Sequence, residues 1–316
     1  MSVLEQIKEL IHKAKKILIM THENPDGDAV GSSLGFMNGL KKLNKEVDVV
    51  IPKINEMYSF LPGFDGLKTN VDPGDYDLCI ALDSSDLERL GECKDLFQKI
   101  EDTIVIDHHI TNQNYGDANY VNAVASSTCQ NIIVILAALD ISIDKDIATC
   151  IYSGMLTDTG GFRYNVQPET FEIAGMLLET GIDISRIYKI LFDETTEART
   201  RLLGRAINNL EILENGKVAF TYVTAKDMEE LNNKDGDQEN IVNYGRNISG
   251  VEVSVFLREK DGKYKVSMRS NEYVDVSVIS TMFFGGGHVK AAGFEIAETL
   301  EEAKKTILAE VKKQLK

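Results

Sequence analysis

Tryptophan is absent from this 316-residue chain, which also holds only five prolines and five histidines. Its four cysteines, Cys79, Cys93, Cys129 and Cys150, show no C-x-x-C spacing. That excludes the usual thiolate zinc site and redox pair. With Cys79 and Cys150 inside apolar segments, they read as small buried hydrophobes. Long apolar runs are missing too: the longest, Ile132–Leu139, falls far short of the ~20 residues that span a bilayer. The N-terminal segment MSVLEQIKELIHKAKK carries charges through its apolar positions. It reads as an amphipathic helix and not a signal peptide, so a soluble, cytoplasmic chain with no membrane partner is expected. Positive charge is in deficit, 34 basic against 50 acidic residues, for a net charge of -16. Such a chain is a poor binder of duplex DNA, whose affinity comes largely from Lys and Arg on phosphates. Nearly all the deficit, -15, lies in residues 1–214, and residues 215–316 carry only -1. An anionic substrate must then be attracted by something other than bulk charge, and acidic residues holding metal cations would do so. The plainer alternative is an acidic surface that aids solubility.

What is present is the length of about two domains, with 43% hydrophobic and 27% charged residues. That is a globular composition, sufficient for a core without disulfide staples. Short apolar strands are expected at 17–20, 47–51, 78–82 and 103–106. Helices are expected at 2–16, 29–43, 126–139, 144–156 and 168–181, and over a long charged stretch at 184–213. The alternation implies an α/β fold with a parallel sheet, whose ligands sit beyond the carboxyl ends of the strands. From Val218 the texture shifts to strands (218–223, 251–257, 264–269) and later helices near 275–283 and 299–314. The expected organisation is a domain over 1–190, a helical linker over 191–214 and a smaller α/β domain over 215–316.

Three expected strands run into Asp/His clusters. The first ends in His22-Glu23-Asn24-Pro25-Asp26-Gly27-Asp28, where His22, Asp26 and Asp28 put one imidazole and two aspartates within seven residues of loop. Mixed oxygen and imidazole donors without thiolate suit Mn²⁺ or another divalent ion and argue against structural zinc. The third strand ends in Asp83, which alone could be an ordinary helix cap. The fourth ends in Asp107-His108-His109, where adjacent histidines point in different directions. Asp158 precedes Gly160-Gly161, which permit close backbone approach. Four carboxylates with two or three imidazoles suffice for two ions sharing a bridging carboxylate. Paired ions of this kind serve phosphoryl chemistry. Two dications would also balance Asp26, Asp28, Asp83 and Asp158.

The motifs HENPDGD (22–28), ALDSSD (81–86), DHH (107–109) and SGMLTDTG (153–160), followed by SMRS (267–270) and FGGGHVKAAGF (284–294), together resemble the DHH phosphoesterase family with its associated C-terminal domain. The short two-domain layout and the phrase DTGGFRY are most similar to the branch of nano-RNases and phosphatases of 3'-phosphoadenosine 5'-phosphate (pAp). The resemblance implies hydrolysis of short oligoribonucleotides, linear diadenylate among them, and of pAp to AMP. A cyclic dinucleotide phosphodiesterase is the alternative. It implies two metal ions: one on His22, Asp26 and Asp83, the other on Asp28, Asp83, His108 and Asp158. Asp107 would orient a ligand, and His109 would face the substrate phosphate as a donor or general acid. Ser267, Arg269, His288 and the amides of Gly285, Gly286 and Gly287 would hold the far end of the substrate, the glycines as an anion nest. Arg163 is either a further phosphate contact or a charge balance. A homodimer, and an active site in the cleft between the two domains, are further implications.

Two positions depart from the family pattern. Phe284 replaces the first glycine of a GGGGH loop, which would either narrow the pocket or stack a base. Gln130 stands where an acidic residue is common. The competing readings are an inorganic pyrophosphatase, a nucleotide-binding protein without turnover, and a long-strand exonuclease. The last would want a basic groove with aromatic platforms.

Overall fold

The computed structural model describes residues 2–234 and 236–316. The chain divides between Glu194 and Thr195 into two compact units.

The first unit begins with α1 (Val3–Lys13), whose start is fixed by a reciprocal capping box between Ser2 and Glu5. It buries Ile7 and Ile11, one turn apart. There follow β1 (Lys16–Thr21), α2 (Gly27–Lys41), β2 (Glu46–Val50), β3 (Leu78–Leu82), α3 (Lys94–Lys99), β4 (Asp102–Asp107) and β5 (Ala118–Val121). The helices α4 (Thr128–Ala138), α5 (Lys145–Asp158), α6 (Pro168–Glu179) and α7 (Ile184–Tyr188) complete it. The five strands are all parallel, in the order β2-β1-β3-β4-β5. Strands β1, β3 and β4 are buried on both faces, which is why they read as continuous apolar runs. Because β2 lies on one side of β1 and β3 on the other, the chain reverses direction across the sheet there. The crevice beyond the carboxyl ends of β1 and β3 is the switch point where such sheets take ligands.

Helix α2 is buried on nearly all sides. Glycines at four-residue spacing (Gly27, Gly31, Gly35, Gly39) let it sit directly against α5 and α4. A Cβ on Gly31 would lie 2.5 Å from the Cys150 carbonyl oxygen, and one on Gly39 2.4 Å from Leu136 Cδ2. This close packing brings the N-terminus of α2, with Asp26 and Asp28, up to the strand ends.

The second unit contains α8 (Glu197–Asn208), β6 (Glu211–Leu213), β7 (Val218–Val223), α9 (Ala225–Glu230), α10 (Ile241–Arg246), β8 (Val253–Lys260), β9 (Lys263–Ser270), α11 (Val276–Met282), β10 (Gly286–His288), β11 (Ala291–Ile296) and α12 (Leu300–Lys312). Its mixed six-stranded sheet runs β10-β11-β9-β8-β7-β6. One face packs on α11 and α12 through Val266, Met268, Phe294, Ile279 and Ile307. Part of the other is covered by α8 and α10 through Leu202, Ile241 and Phe256.

The helix expected over 184–213 is interrupted. After α7 the chain makes a π-helical turn over Lys189–Asp193 and leaves helical geometry at Glu194. The Thr196 hydroxyl then accepts from the Arg199 N–H at 3.0 Å and starts α8 afresh. Residues 211–213 pair with β7 as a strand. No helix among the described residues is long and apolar enough to cross a membrane.

Candidate active site

Four chain segments converge beyond the carboxyl ends of β1, β3 and β4. His22 follows β1, and its Nδ1 lies 2.9 Å from the Glu23 carbonyl oxygen. Donation to that carbonyl leaves Nε2 as the lone-pair nitrogen, and Nε2 lies 3.6 Å from Asp83 Oδ2. Asp83 follows β3 and is 2% exposed. Its backbone is in the left-handed region, at φ 55°, and its N–H donates to the Ile106 carbonyl at 3.1 Å. A non-glycine residue held so is strained, and here the strain aims a carboxylate into the crevice. Asp26 caps α2, accepting from the N–H groups of Asp28 and Ala29. Asp28 is nearly buried and accepts from Thr128 N (2.6 Å) and Cys129 N (2.9 Å), at the N-terminus of α4.

His108 Nε2 faces three carboxylates, Asp158 Oδ2 at 3.5 Å, Asp83 Oδ1 at 3.6 Å and Asp28 Oδ2 at 3.9 Å. Donor atoms of His22, Asp26 and Asp83 converge within 4.8 Å of one another, as do those of Asp28, His108 and Asp158. A third such group joins Asp83, His108 and His109. Two ligands ~2.1 Å from one ion lie no more than ~4.2 Å apart, and the 3.5–3.9 Å separations fit that. Asp83 belongs to more than one group. These carboxylates and imidazoles are therefore suited to hold divalent metal ions.

Without cations the cluster is electrostatically stressed. Burial pushes the Asp28 carboxyl well above the usual range, and the charges of Asp83, Asp158 and Asp26 add to the effect. Burial likewise raises Asp158 to about 6, with Asp83 and Asp26 adding and His108 opposing. Burial also works against the Asp83 carboxylate, yet His22, His108 and His109 hold it below its ordinary range. A bound dication favours all three ionised forms at once.

Asp107 is fully buried and saturated. Its Oδ1 accepts from His108 N (2.8 Å) and lies 2.7 Å from His109 Nδ1, and its Oδ2 accepts from Asn112 Nδ2 (2.6 Å). The hydrogen bond to Asp107 raises the His109 pKa, against burial. His109 is thus clamped at Nδ1 and half exposed. Arg163 is exposed, and no contact joins it to this cluster.

The remaining expected residues lie in the second unit. Register places His288, Ala291, Arg269 and Ser254 in one row across β10, β11, β9 and β8, with Gly286, Gly293, Ser267 and Phe256 in the next. Directly opposed residues share a face, so His288, Arg269 and Ser267 stand on the same face of the sheet. Gly286 and Gly287, expected in a loop, lie in the edge strand β10. Gly285 is sterically fixed, since a Cβ there would lie 2.3 Å from the Gly293 carbonyl oxygen.

Several residues at these sites escaped the sequence reading. Thr128 Oγ1 donates to Asp83 Oδ1 at 3.0 Å, and Asn131 and Asn112 brace the Asp107 segment. The helix start at Ser127 is legible locally, but that it points at Asp28, a hundred residues earlier, is not. Gln130 keeps an acceptor role: its Oε1 takes hydrogen bonds from Ser126 N, Ser126 Oγ and Thr170 Oγ1. Arg246 ends α10. Its carbonyl accepts from Asn271 Nδ2 at 2.9 Å. Arg269 is lowered from its ordinary pKa by burial and by the Arg246 charge.

The geometry suits divalent metal ions, and comparison with known proteins gives the family. Residues 16–155 match the model of the DHH family N-terminal domain, and residues 215–316 match the DHHA1 domain. A bifunctional oligoribonuclease and PAP phosphatase of Thermus thermophilus is 33% identical over 95% of this chain and 90% of its own. The chain belongs to the DHH family. The crystal structure of an exopolyphosphatase-related protein from Bacteroides fragilis superposes with a TM-score of 0.88 at 31% identity, covering 98% of this chain and 96% of that one. RecJ of Thermus thermophilus, solved in complex with Mn²⁺, shares the fold (TM-score 0.60, 14% identity, 99% of this chain and 54% of that one).

Proposed function

We propose that this chain is a phosphoesterase that cleaves short oligoribonucleotides, linear diadenylate included, to mononucleotides and dephosphorylates pAp to AMP. The observation that carries this reading is the pair of His/Asp groups meeting at Asp83 beyond the carboxyl ends of β1 and β3. The Thermus thermophilus relative, named as a bifunctional oligoribonuclease and PAP phosphatase, supports the substrate class.

His22, Asp26 and Asp83 would hold one divalent ion, and Asp28, Asp83, His108 and Asp158 a second, with Mn²⁺ favoured by the donor set. When bound, the pair supplies Lewis acidity and neutralises phosphate charge. Asp107 fixes the His109 ring and favours its protonated form. That leaves the His109 Nε2–H free to donate to a phosphate oxygen or to protonate the leaving nucleotide oxygen. Ser267, Arg269 and His288, joined by Arg246, would grip a second phosphate of the substrate. The near-neutral charge of residues 215–316 makes this face more receptive to anions than the acidic first unit.

The test is a product time course in Mn²⁺. Substrates are pAp, linear and cyclic diadenylate, pyrophosphate and RNA of two to ~20 nucleotides. The expected result is a steep preference for about two to five nucleotides with turnover of pAp. Equal rates on long RNA, or preference for pyrophosphate, would overturn the reading. Preference for cyclic diadenylate would replace it with cyclic dinucleotide turnover.

A further inference from the structure

Phe284 breaks two local rules at once. Helix α11 ends in a Schellman motif: Phe284 N donates to the Thr281 carbonyl at 3.1 Å and Gly285 N to the Ser280 carbonyl at 3.0 Å. Phe284 occupies the left-handed position of that motif, at φ 58°. Glycine is the residue this position favours, because a Cβ there crowds the backbone. The side chain regains nothing by packing, for it is 102% exposed. Its neighbour Phe283 does the packing instead, stacked on Phe294 with centroids 4.5 Å apart and planes 13° from parallel. A residue that weakens its own turn and touches nothing in the fold marks a contact made outside the chain.

The surroundings say what kind of contact. Strand β10 pairs with only the first three residues of β11, so the edge of β11 is open from Phe294 onwards. A groove of about 660 Å³ runs there, lined by Phe284, Gly285, Gly293, Ser267, Lys265 and Gln238 among others. Two glycines leave flat backbone, Phe284 offers a π face, and Ser267, Lys265, Gln238 and Glu295 supply polar edges beside the apolar Phe283, Phe294 and Val266. That combination suits a flat, hydrogen-bonding heterocycle better than an apolar side chain. Phe284 lies two residues before β10 and His288 ends that strand, so the ring and the imidazole flank one short edge strand.

We propose that Phe284 is the base-stacking residue of this site, holding a nucleobase of the substrate and setting its preference for base-bearing phosphodiesters. Of the two sequence alternatives, a fully exposed ring stacks and does not constrict. The proposal rests on the phosphoesterase reading above and deepens it. Stacking on an aromatic side chain typically changes affinity by roughly 5- to 100-fold per base.

The experiment compares Phe284→Gly, Phe284→Leu and Phe284→Tyr with wild type on a diadenylate and on bis(4-nitrophenyl) phosphate, which has no base. For Gly and Leu, the expected result is a roughly 5- to 100-fold higher KM for diadenylate with kcat little changed. The kcat/KM ratio of diadenylate to the base-free ester falls to match, and Tyr restores it. Phe284→Gly should melt at or above the wild-type temperature, which separates lost stacking from lost folding. An unchanged KM in Phe284→Gly overturns the proposal while leaving phosphoesterase activity intact. So does a change of sedimentation state without a change of KM, which would make the ring a contact between copies of the chain. Absence of wild-type turnover on both esters overturns the functional reading, and the proposal with it.

Discussion

Replacing Asp158 by Asn should stabilise the metal-free protein and inactivate it. In the folded, metal-free site the Asp158 carboxyl is raised from 3.8 to about 6 by burial and by Asp83 and Asp26. It binds a proton more tightly folded than unfolded, so its favourable contribution is complete below pH ~4 and is lost as the pH rises through about 6. At pH 7.5 the ionised group opposes folding by up to about 3 kcal/mol, each pKa unit being worth ~1.4 kcal/mol. A domain of this size moves by about 2–4 °C per kcal/mol. Metal-free Asp158→Asn should therefore melt up to about 6–12 °C above metal-free wild type at pH 7.5, and the two should converge near pH 4. Mn²⁺ should reverse the order, raising the melting temperature of wild type far more than that of the variant. The assay is differential scanning calorimetry with EDTA and with Mn²⁺ at several pH values. A metal-free variant no more stable than wild type at pH 7.5, or an equal Mn²⁺ effect on both, would refute the reasoning.

Three further outcomes follow from the same structure. Gly31→Ala should cost at least about 2 kcal/mol in urea denaturation, because its Cβ would meet a backbone carbonyl at 2.5 Å where α2 cannot retreat from α5. Thr128→Val, which removes the hydrogen bond to Asp83 while keeping the side-chain shape, should cost about 1–2 kcal/mol of stability and lower Mn²⁺ affinity, read by titration calorimetry. Asp107→Asn should move the alkaline limb of the pH–kcat profile to lower pH, since the bond that raises the His109 pKa is weakened. A limb that stays in place would mean that His109 is not the group titrating.

How much of this was legible beforehand depends on whether the signal was local. Strands β1, β3 and β4 announce themselves because burial on both faces demands unbroken apolar runs, and each is punctuated by an Asp or His cluster. β5, ANYV, is half-exposed and short, with nothing to separate it from a loop. The break between α7 and α8 hides in the helical periodicity around it. Only the Thr196 cap betrays it, and threonine is common inside helices too. At the site, carboxylates and imidazoles stand out by type. The backbone amides of Thr128 and Cys129 that hold Asp28 carry no residue signature, because any residue at a helix N-terminus supplies them. Arg246 is a surface arginine in sequence and becomes notable only when the face of β9 places Arg269 near it.

The most direct measurement is an Mn²⁺ titration of turnover, using diadenylate and pAp with protein stripped of metal, for wild type and Asp83→Ala. The account predicts no product without metal, saturable activity in wild type and none in Asp83→Ala at any Mn²⁺ concentration, since both ligand groups meet at that carboxylate. Turnover in EDTA, or wild-type activity in Asp83→Ala, would contradict it.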